Sequence, residues 1–294
     1  MTPKSRTVDL NGASWHRARL RLRREASRLW RSERELPSYF VVGAKRAGTT
    51  SFDAYVGAHP NVESPLASKG TRYFDVNFDQ GWSWFVRHFP LRTHIDKLAR
   101  RTGVRPIIGD TSPYYCFHPE AMARIADRFP EARLIFLLRN PVERTWSHYN
   151  HEVRKGNENL TIHEALDAED SRLHHPDLTF RAYAHRHYSY LSRSQYAAQI
   201  QSILDYFPRD QLLLLKSEDL FERPDEIMAK AFSFLGLRSW TDDELFRRVL
   251  KANPFTDIPA DVRERLEEYF IAPNQALEEL VGSGLIWSGR NGPI

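Results

Sequence analysis

Residues 43–51 read Gly43-Ala44-Lys45-Arg46-Ala47-Gly48-Thr49-Thr50-Ser51. Two cations, two glycines and three consecutive hydroxyls in nine residues are the means of holding an anion. An apolar run, Tyr39–Val42, precedes them and reads as a buried strand, and Phe52 to His59 reads as a helix. A glycine-bearing turn between strand and helix turns backbone N–H groups inward and presents the positive end of the helix dipole. The usual guest of such a turn is a phosphate. The interval from Gly43 to Gly48 matches the start of a Walker A loop, but Thr49 stands where that loop needs its lysine. The cations come earlier, at Lys45 and Arg46, which argues against a P-loop kinase or NTPase.

A second anion site is expected at residues 133–149. Arg133-Leu134-Ile135-Phe136-Leu137-Leu138 is a strand-like run that ends in the charge of Arg139. Asn140 suits a helix N-cap, Pro141 the first helical position and Glu143 a capping box. A cation at a buried strand end must be paired. Ser147, about two turns into the helix, lies on a face that can look back toward Arg139. Both candidate sites fall at carboxyl ends of strands, where open α/β sheets bind ligands.

The elements that position these residues begin near Ser38. Short apolar runs at Tyr39–Val42, Pro106–Gly109, Arg133–Leu138 and Gln211–Lys216 predict strands. Helices are expected at Ser51–Ala58, Pro119–Phe129, Pro141–Lys155, Ile162–Glu169, Arg193–Tyr206, Pro224–Leu235 and Pro259–Tyr269. The alternation predicts an α/β fold with a central, mainly parallel sheet flanked by helices. Residues 38–294 read as one domain. Residues 1–37 read as a basic N-terminal helical extension, arginine-rich from Trp15 to Arg34 with a narrow apolar stripe. Its alternatives are a solvated helix packed on the domain or a surface for peripheral contact with an anionic membrane or acceptor. The segment Gly156 to Ser192 is polar and His-rich, and is expected to be a mobile insertion over the site.

The chain has 294 residues, 41% hydrophobic and 27% charged, which suits a soluble globular domain. A net charge of +4 favours anionic ligands without demanding nucleic acid. The single cysteine, Cys116, excludes a disulfide framework within these residues. No apolar run approaches a membrane span and no secretory signal is seen, so a cytoplasmic protein is expected.

The loop Lys45-Arg46-Ala47-Gly48-Thr49-Thr50-Ser51 resembles the K-x-x-G-T-T-S motif that holds the 5′-phosphosulfate of 3′-phosphoadenosine-5′-phosphosulfate (PAPS) in sulfotransferases. Leu138-Arg139-Asn140-Pro141 followed by Ser147-His148-Tyr149 resembles the family's 3′-phosphate motif. Gly109-Asp110-Thr111-Ser112-Pro113-Tyr114-Tyr115 is similar to its G-E-x-[ST]-P-x-Y segment. Tyr196, Phe207 to Leu213, Glu218-Asp219-Leu220 and Phe234-Leu235-Gly236-Leu237 match its later motifs in order. The nearest branch is that of the heparan-sulfate-type and bacterial carbohydrate enzymes. The resemblance covers nearly everything from residue 38 on and implies the P-loop-like three-layer fold. Eukaryotic members are usually Golgi membrane proteins, so it points to a bacterial, cytoplasmic member.

What the resemblance implies is in-line sulfuryl transfer from PAPS to a hydroxyl or amine, with 3′,5′-ADP as product and no metal. Lys45 then neutralises the bridging oxygen. Arg46, Ala47, Gly48, Thr49, Thr50 and Ser51 hold the 5′-phosphate. Arg139 and Ser147 hold the 3′-phosphate, and Tyr196 joins the cofactor site. The acceptor is expected to be a small molecule, glycan or lipid. In the heparan-sulfate branch the base is the glutamate of K-E-x-x-[FY]-F. Here Lys69-Gly70-Thr71-Arg72-Tyr73-Phe74 keeps the lysine and puts Gly70 in the glutamate's place. Lys69 is expected beside the sulfuryl group. Asp110 is the first candidate for a replacement base and His118 the second, because histidine can exchange protons near neutral pH. Without the family glutamate, a non-catalytic nucleotide-binding protein is the alternative class. Trp82, Trp84 and Phe85 are either core or a sugar-stacking platform. His148 and His151 lack the partner of an H-E-x-x-H zinc site, and Ser112 lacks a nucleophile elbow.

Overall fold

The computed structural model describes residues 33–66, 70–242, 257–285 and 287. Five strands, β1 (Tyr39–Gly43), β2 (Val62–Glu63), β3 (Ile107–Thr111), β4 (Arg133–Leu138) and β5 (Leu212–Lys216), form one sheet in the order β2-β3-β1-β4-β5. Every pairing is parallel. Parallel neighbours need crossover connections, and here helices supply them. The α-helices among the described residues are α1 (Thr49–Gly57), α2 (Trp82–Val86), α3 (Arg92–Thr102), α4 (Ala121–Arg128), α5 (Pro141–Arg154), α6 (Ile162–Asp167), α7 (Glu169–Leu173), α8 (Leu178–His187), α9 (Tyr196–Leu204), α10 (Ser217–Glu222), α11 (Pro224–Leu235), α12 (Ala260–Tyr269) and α13 (Ile271–Val281).

The central strands are covered on both faces, so they read as unbroken apolar runs. Phe40, Val41 and Val42 of β1 and Leu134 through Leu138 of β4 are completely buried. The register between these two strands slips between Val41 and Gly43. The slip bends β1 just where it delivers the anion loop. Gly43 is required there by crowding, since a Cβ would lie 2.3 Å from the Cys116 sulfur. Gly48, at φ 78°, makes the left-handed turn into α1, a conformation that glycine adopts at little cost.

The expected strands are present, Arg133–Leu138 with the bounds expected and the others with shifts of one or two residues at their ends. Strand β2, two residues long, carries too little pattern to be read in advance. Residues 156–192 are not a loose insertion. They form α6, α7 and α8, and Ile162, Ala165, Leu166 and Tyr190 share a second apolar core with Val142, Val262, Leu266 and Phe270. Two buried carboxylates tie the segment together. Glu158 accepts from Tyr190 Oη at 2.9 Å and Arg172 Nη1 at 2.6 Å. Glu169 accepts from the amides of Leu191 and Ser192 at 2.7 and 2.9 Å.

The expected N-terminal helix lies outside the described residues except for its end. There Arg34 bridges Leu91 in extended form and donates to Phe89 O at 2.7 Å. Trp82, Trp84 and Phe85 pack into the core. Trp82 lies 5.1 Å from Phe85 and 6.0 Å from Phe129, ring to ring, and Trp84 stacks on Tyr73.

Candidate active site

The two anion motifs meet at the carboxyl ends of β1 and β4. Helix α1 starts directly after the loop with no carboxylate in its first turn and no side-chain cap. Its first amides are therefore aimed where an anion is favoured. Arg46 Nε donates to Ser147 Oγ at 3.1 Å, and Arg139 Nη1 donates to Arg46 O at 3.2 Å. Arg46 is pushed down by burial, then by Arg154 and Arg139. Converging guanidiniums repel one another unless an anion joins them, so this cluster fits a nucleotide carrying two phosphoryl sites.

Asn140 caps α5 as expected, accepting from the amides of Val142 and Glu143 at 3.0 and 3.4 Å. Glu143 does not close a capping box. It faces Arg263 at 3.1 Å and Arg139 at 3.9 Å. Tyr196 is completely enclosed and donates from its hydroxyl to Arg139 O at 2.8 Å. It supports the backbone of Arg139 from behind.

A cleft of about 440 Å³ opens beside the loop, lined among others by Lys45, Arg72, Tyr114, Glu152, Arg186 and His187. Lys45 Nζ lies 2.6 Å from Glu152 Oε1 and 3.0 Å from His148 Nε2. Burial, and then the Arg193 guanidinium, push the Lys45 ammonium down to about 7 against the pull of Glu152. Burial alone would raise Glu152. Hydrogen bonds from His148 and His187 and the charge of Lys45 override it and hold the carboxyl well below the usual range. The second oxygen of Glu152 accepts from Asn157 Nδ2 at 2.6 Å and lies 2.9 Å from His187 Nδ1.

The two expected bases do not reach this cleft. Asp110 has no exposed surface, and its carboxylate accepts from Thr71 N at 3.2 Å, Ser112 Oγ at 2.6 Å and Tyr115 Oη at 3.3 Å, as well as from the Thr71 hydroxyl. Burial raises its pKa, and its contacts are with Thr71 of the turn at residues 70–75 and with Ser112 and Tyr115 just after its own strand. It is placed to organise backbone. His118 stands behind Tyr114, rings edge to face at 5.5 Å, and its Nδ1 accepts from Glu120 N at 3.2 Å. Lys69 lies outside the described residues. Gly70 is enforced by space, because a Cβ would sit 2.0 Å from Thr111 O. No glutamate fits at that position.

Glu152, His187 and Arg186 were not singled out in the sequence. Glu152 had a signal, since it follows His148 by one helical turn and shares its face of the helix. His187 had none, because the fold alone brings α8 to α5.

The sulfotransferase family profile matches residues 37–242, more than half of the chain. The chain thus belongs to the sulfotransferase family, whose members imply PAPS as co-substrate. It is 22% identical to the membrane-associated sulfotransferase kil1 of Dictyostelium discoideum, over 86% of this chain and 66% of that protein. It is 26% identical to heparan sulfate glucosamine 3-O-sulfotransferase 6 of Mus musculus, over 86% of this chain and 74% of that one. With the human bifunctional heparan sulfate N-deacetylase/N-sulfotransferase 2 it shares 26% identity over 71% of this chain, and spans 23% of that protein. It therefore covers less than two thirds of two of these three relatives. Among solved structures, a sulfotransferase from Alicyclobacillus acidocaldarius superposes with a TM-score of 0.63 at 27% identity, over 85% of this chain and 97% of that one. The shared P-loop-like α/β fold agrees with the sheet described above.

Proposed function

We propose that this chain transfers the sulfuryl group of PAPS to a hydroxyl or amine on a carbohydrate, glycolipid or secondary metabolite. The observation that carries the reading is the convergence of Lys45, Arg46, Arg139 and Ser147 at two adjacent strand ends. In this reading Arg46, Ala47, Gly48, Thr49, Thr50, Ser51 and the first amides of α1 bind the 5′-phosphate. Arg139 and Ser147 bind the 3′-phosphate, with Tyr196 holding Arg139 in place. Lys45 neutralises the bridging oxygen as the sulfur–oxygen bond breaks, the kind of charge stabilisation that fixed cations supply best. Lys69 stands beside the sulfuryl group, as the family pattern has it. The acceptor occupies the cleft between α5 and α8. Residues 38–294 act as one domain, and 1–37 as an extension that meets an anionic acceptor or membrane surface. Among the described residues no helix is long and apolar enough to cross a membrane.

The test is PAPS turnover against a panel of sugar, phenol, aliphatic alcohol and amine acceptors, following release of 3′,5′-ADP. Acceptor-dependent release that is lost in Lys45→Ala is expected. Tight 3′,5′-ADP binding without release, for any acceptor, favours the non-catalytic alternative that Gly70 keeps open. Consumption of ATP with magnesium instead contradicts the reading.

A further inference from the structure

With Gly70 unable to carry a side chain and Asp110 sealed away, the transfer reaction lacks its expected base. The base must reach an acceptor held near Lys45, so it belongs to the same cleft. Glu152 identifies it by what it grips. One of its oxygens holds Lys45 Nζ at 2.6 Å, and the other holds His187 Nδ1 at 2.9 Å. The protonation of His187 follows from its neighbours. Arg186 Nε lies 2.9 Å from His187 Nε2 and can only donate, so Nε2 carries the lone pair. Nδ1 then carries the hydrogen and donates it to Glu152, the nearer partner at 2.9 Å; Asn157 Nδ2, 3.3 Å from Nδ1, donates to the same carboxylate oxygen at 2.6 Å. The ring is fixed on its face as well, stacked on Tyr183 with centroids 4.3 Å apart. The His187 side chain remains 18% exposed, against 2% for Glu152.

We propose that His187 is the general base of sulfuryl transfer and that Glu152 is its positioning residue, fixing the tautomer that presents Nε2 to the acceptor. This rests on the transferase reading above. In the step, the acceptor oxygen or nitrogen forms a bond to sulfur while the bond from sulfur to the bridging oxygen breaks. The bonding pair stays on the 5′-phosphate of 3′,5′-ADP beside Lys45, and the acceptor proton goes to His187 Nε2. Arg186, which covers Nε2, has an incoming sulfuryl group as an alternative partner and frees the ring when it turns to that charge. One carboxylate thereby sets the distance between the cation at the leaving group and the base at the nucleophile.

The test compares wild type with His187→Ala, His187→Asn and Glu152→Gln, with PAPS as the only substrate, water as acceptor and enzyme in excess. In both His187 variants, 3′,5′-ADP release is expected to slow about 100-fold, the lower range for a positioned base. Free imidazole is expected to restore part of the rate in His187→Ala and none in Lys45→Ala. Titration with 3′,5′-ADP is expected to give unchanged affinity in the His187 variants, which shows that they are folded. For Glu152→Gln, 15N shifts of the imidazole report loss of the Nδ1–H tautomer, which a purely structural carboxylate would not set. Wild-type release rates in both His187 variants, or lack of imidazole rescue, overturn the proposal. Failure of the wild type to bind 3′,5′-ADP instead overturns the transferase reading.

Discussion

Arg139 and Lys45 carry distinct parts of the account and can be tested apart. If Arg139 binds a 3′-phosphate, Arg139→Ala weakens 3′,5′-ADP by about 2 kcal/mol, roughly 30-fold in Kd. Binding of 5′-AMP, which lacks that phosphate, is then unchanged, and calorimetric titration of both nucleotides reads the difference. Lys45 has a pH signature. Burial lowers its folded pKa to about 7, so at a higher pH it is mostly neutral in the free protein. An anion beside it raises that pKa, so binding must take up a proton. Titration of 3′,5′-ADP at about pH 8, in buffers of different ionisation enthalpy, is expected to show that uptake. The part due to Lys45 fades toward about pH 6, where the free ammonium is already charged, and is absent in Lys45→Arg. The same depressed pKa means that folding at higher pH releases a proton from Lys45, so its contribution to stability rises with pH above about 7.

Among the elements, β1 with its turn into α1 and β4 with its turn into α5 form the frame of the donor site. They were legible in the sequence because each is a short, fully buried apolar run ending in punctuation. Gly43 and Gly48 mark the first, and Arg139-Asn140-Pro141 mark the second. Helices α2, α3, α7, α8, α10 and α13 were not legible. The first is one turn long. Helix α3 buries only Ile95 and is otherwise polar, and α8 buries only Ala184. Such helices are held by their surroundings more than by their own pattern. The surroundings of Asp110 were not legible for a related reason: it ends a strand, but whether such a carboxylate faces a cleft or a backbone turn is decided by the packing of residues 70–75. Three substitutions test the frame. Gly43→Ala forces a methyl against Cys116 and is expected to cost about 1–3 kcal/mol of stability. Cys116→Ala removes the obstructing sulfur and is expected to restore part of that, measured by denaturant unfolding of the single and double variants. Asn140→Ala removes the cap of α5 and is expected to cost about 1 kcal/mol.

On the scale of the molecule, the proposed reading puts the donor at the sheet and the acceptor beside the segment at residues 156–192. That segment is polar in sequence and looked like an insertion without a core. Its order comes from two buried carboxylates and from the apolar residues it shares with α5 and α12, which sequence spacing could not reveal. Glu169→Ala strips the partners from the Leu191 and Ser192 amides. Faster hydrogen exchange in residues 178–192 is expected, with slower PAPS turnover and unchanged 3′,5′-ADP affinity, because the donor site lies on other elements. The central claim is the donor site itself, and calorimetric titration of the purified protein with 3′,5′-ADP, 5′-AMP and ATP, with and without magnesium, tests it most directly. Metal-independent binding of 3′,5′-ADP, far tighter than of the other two, is the result expected. Preference for ATP with magnesium, or binding of none of the three, would contradict the account.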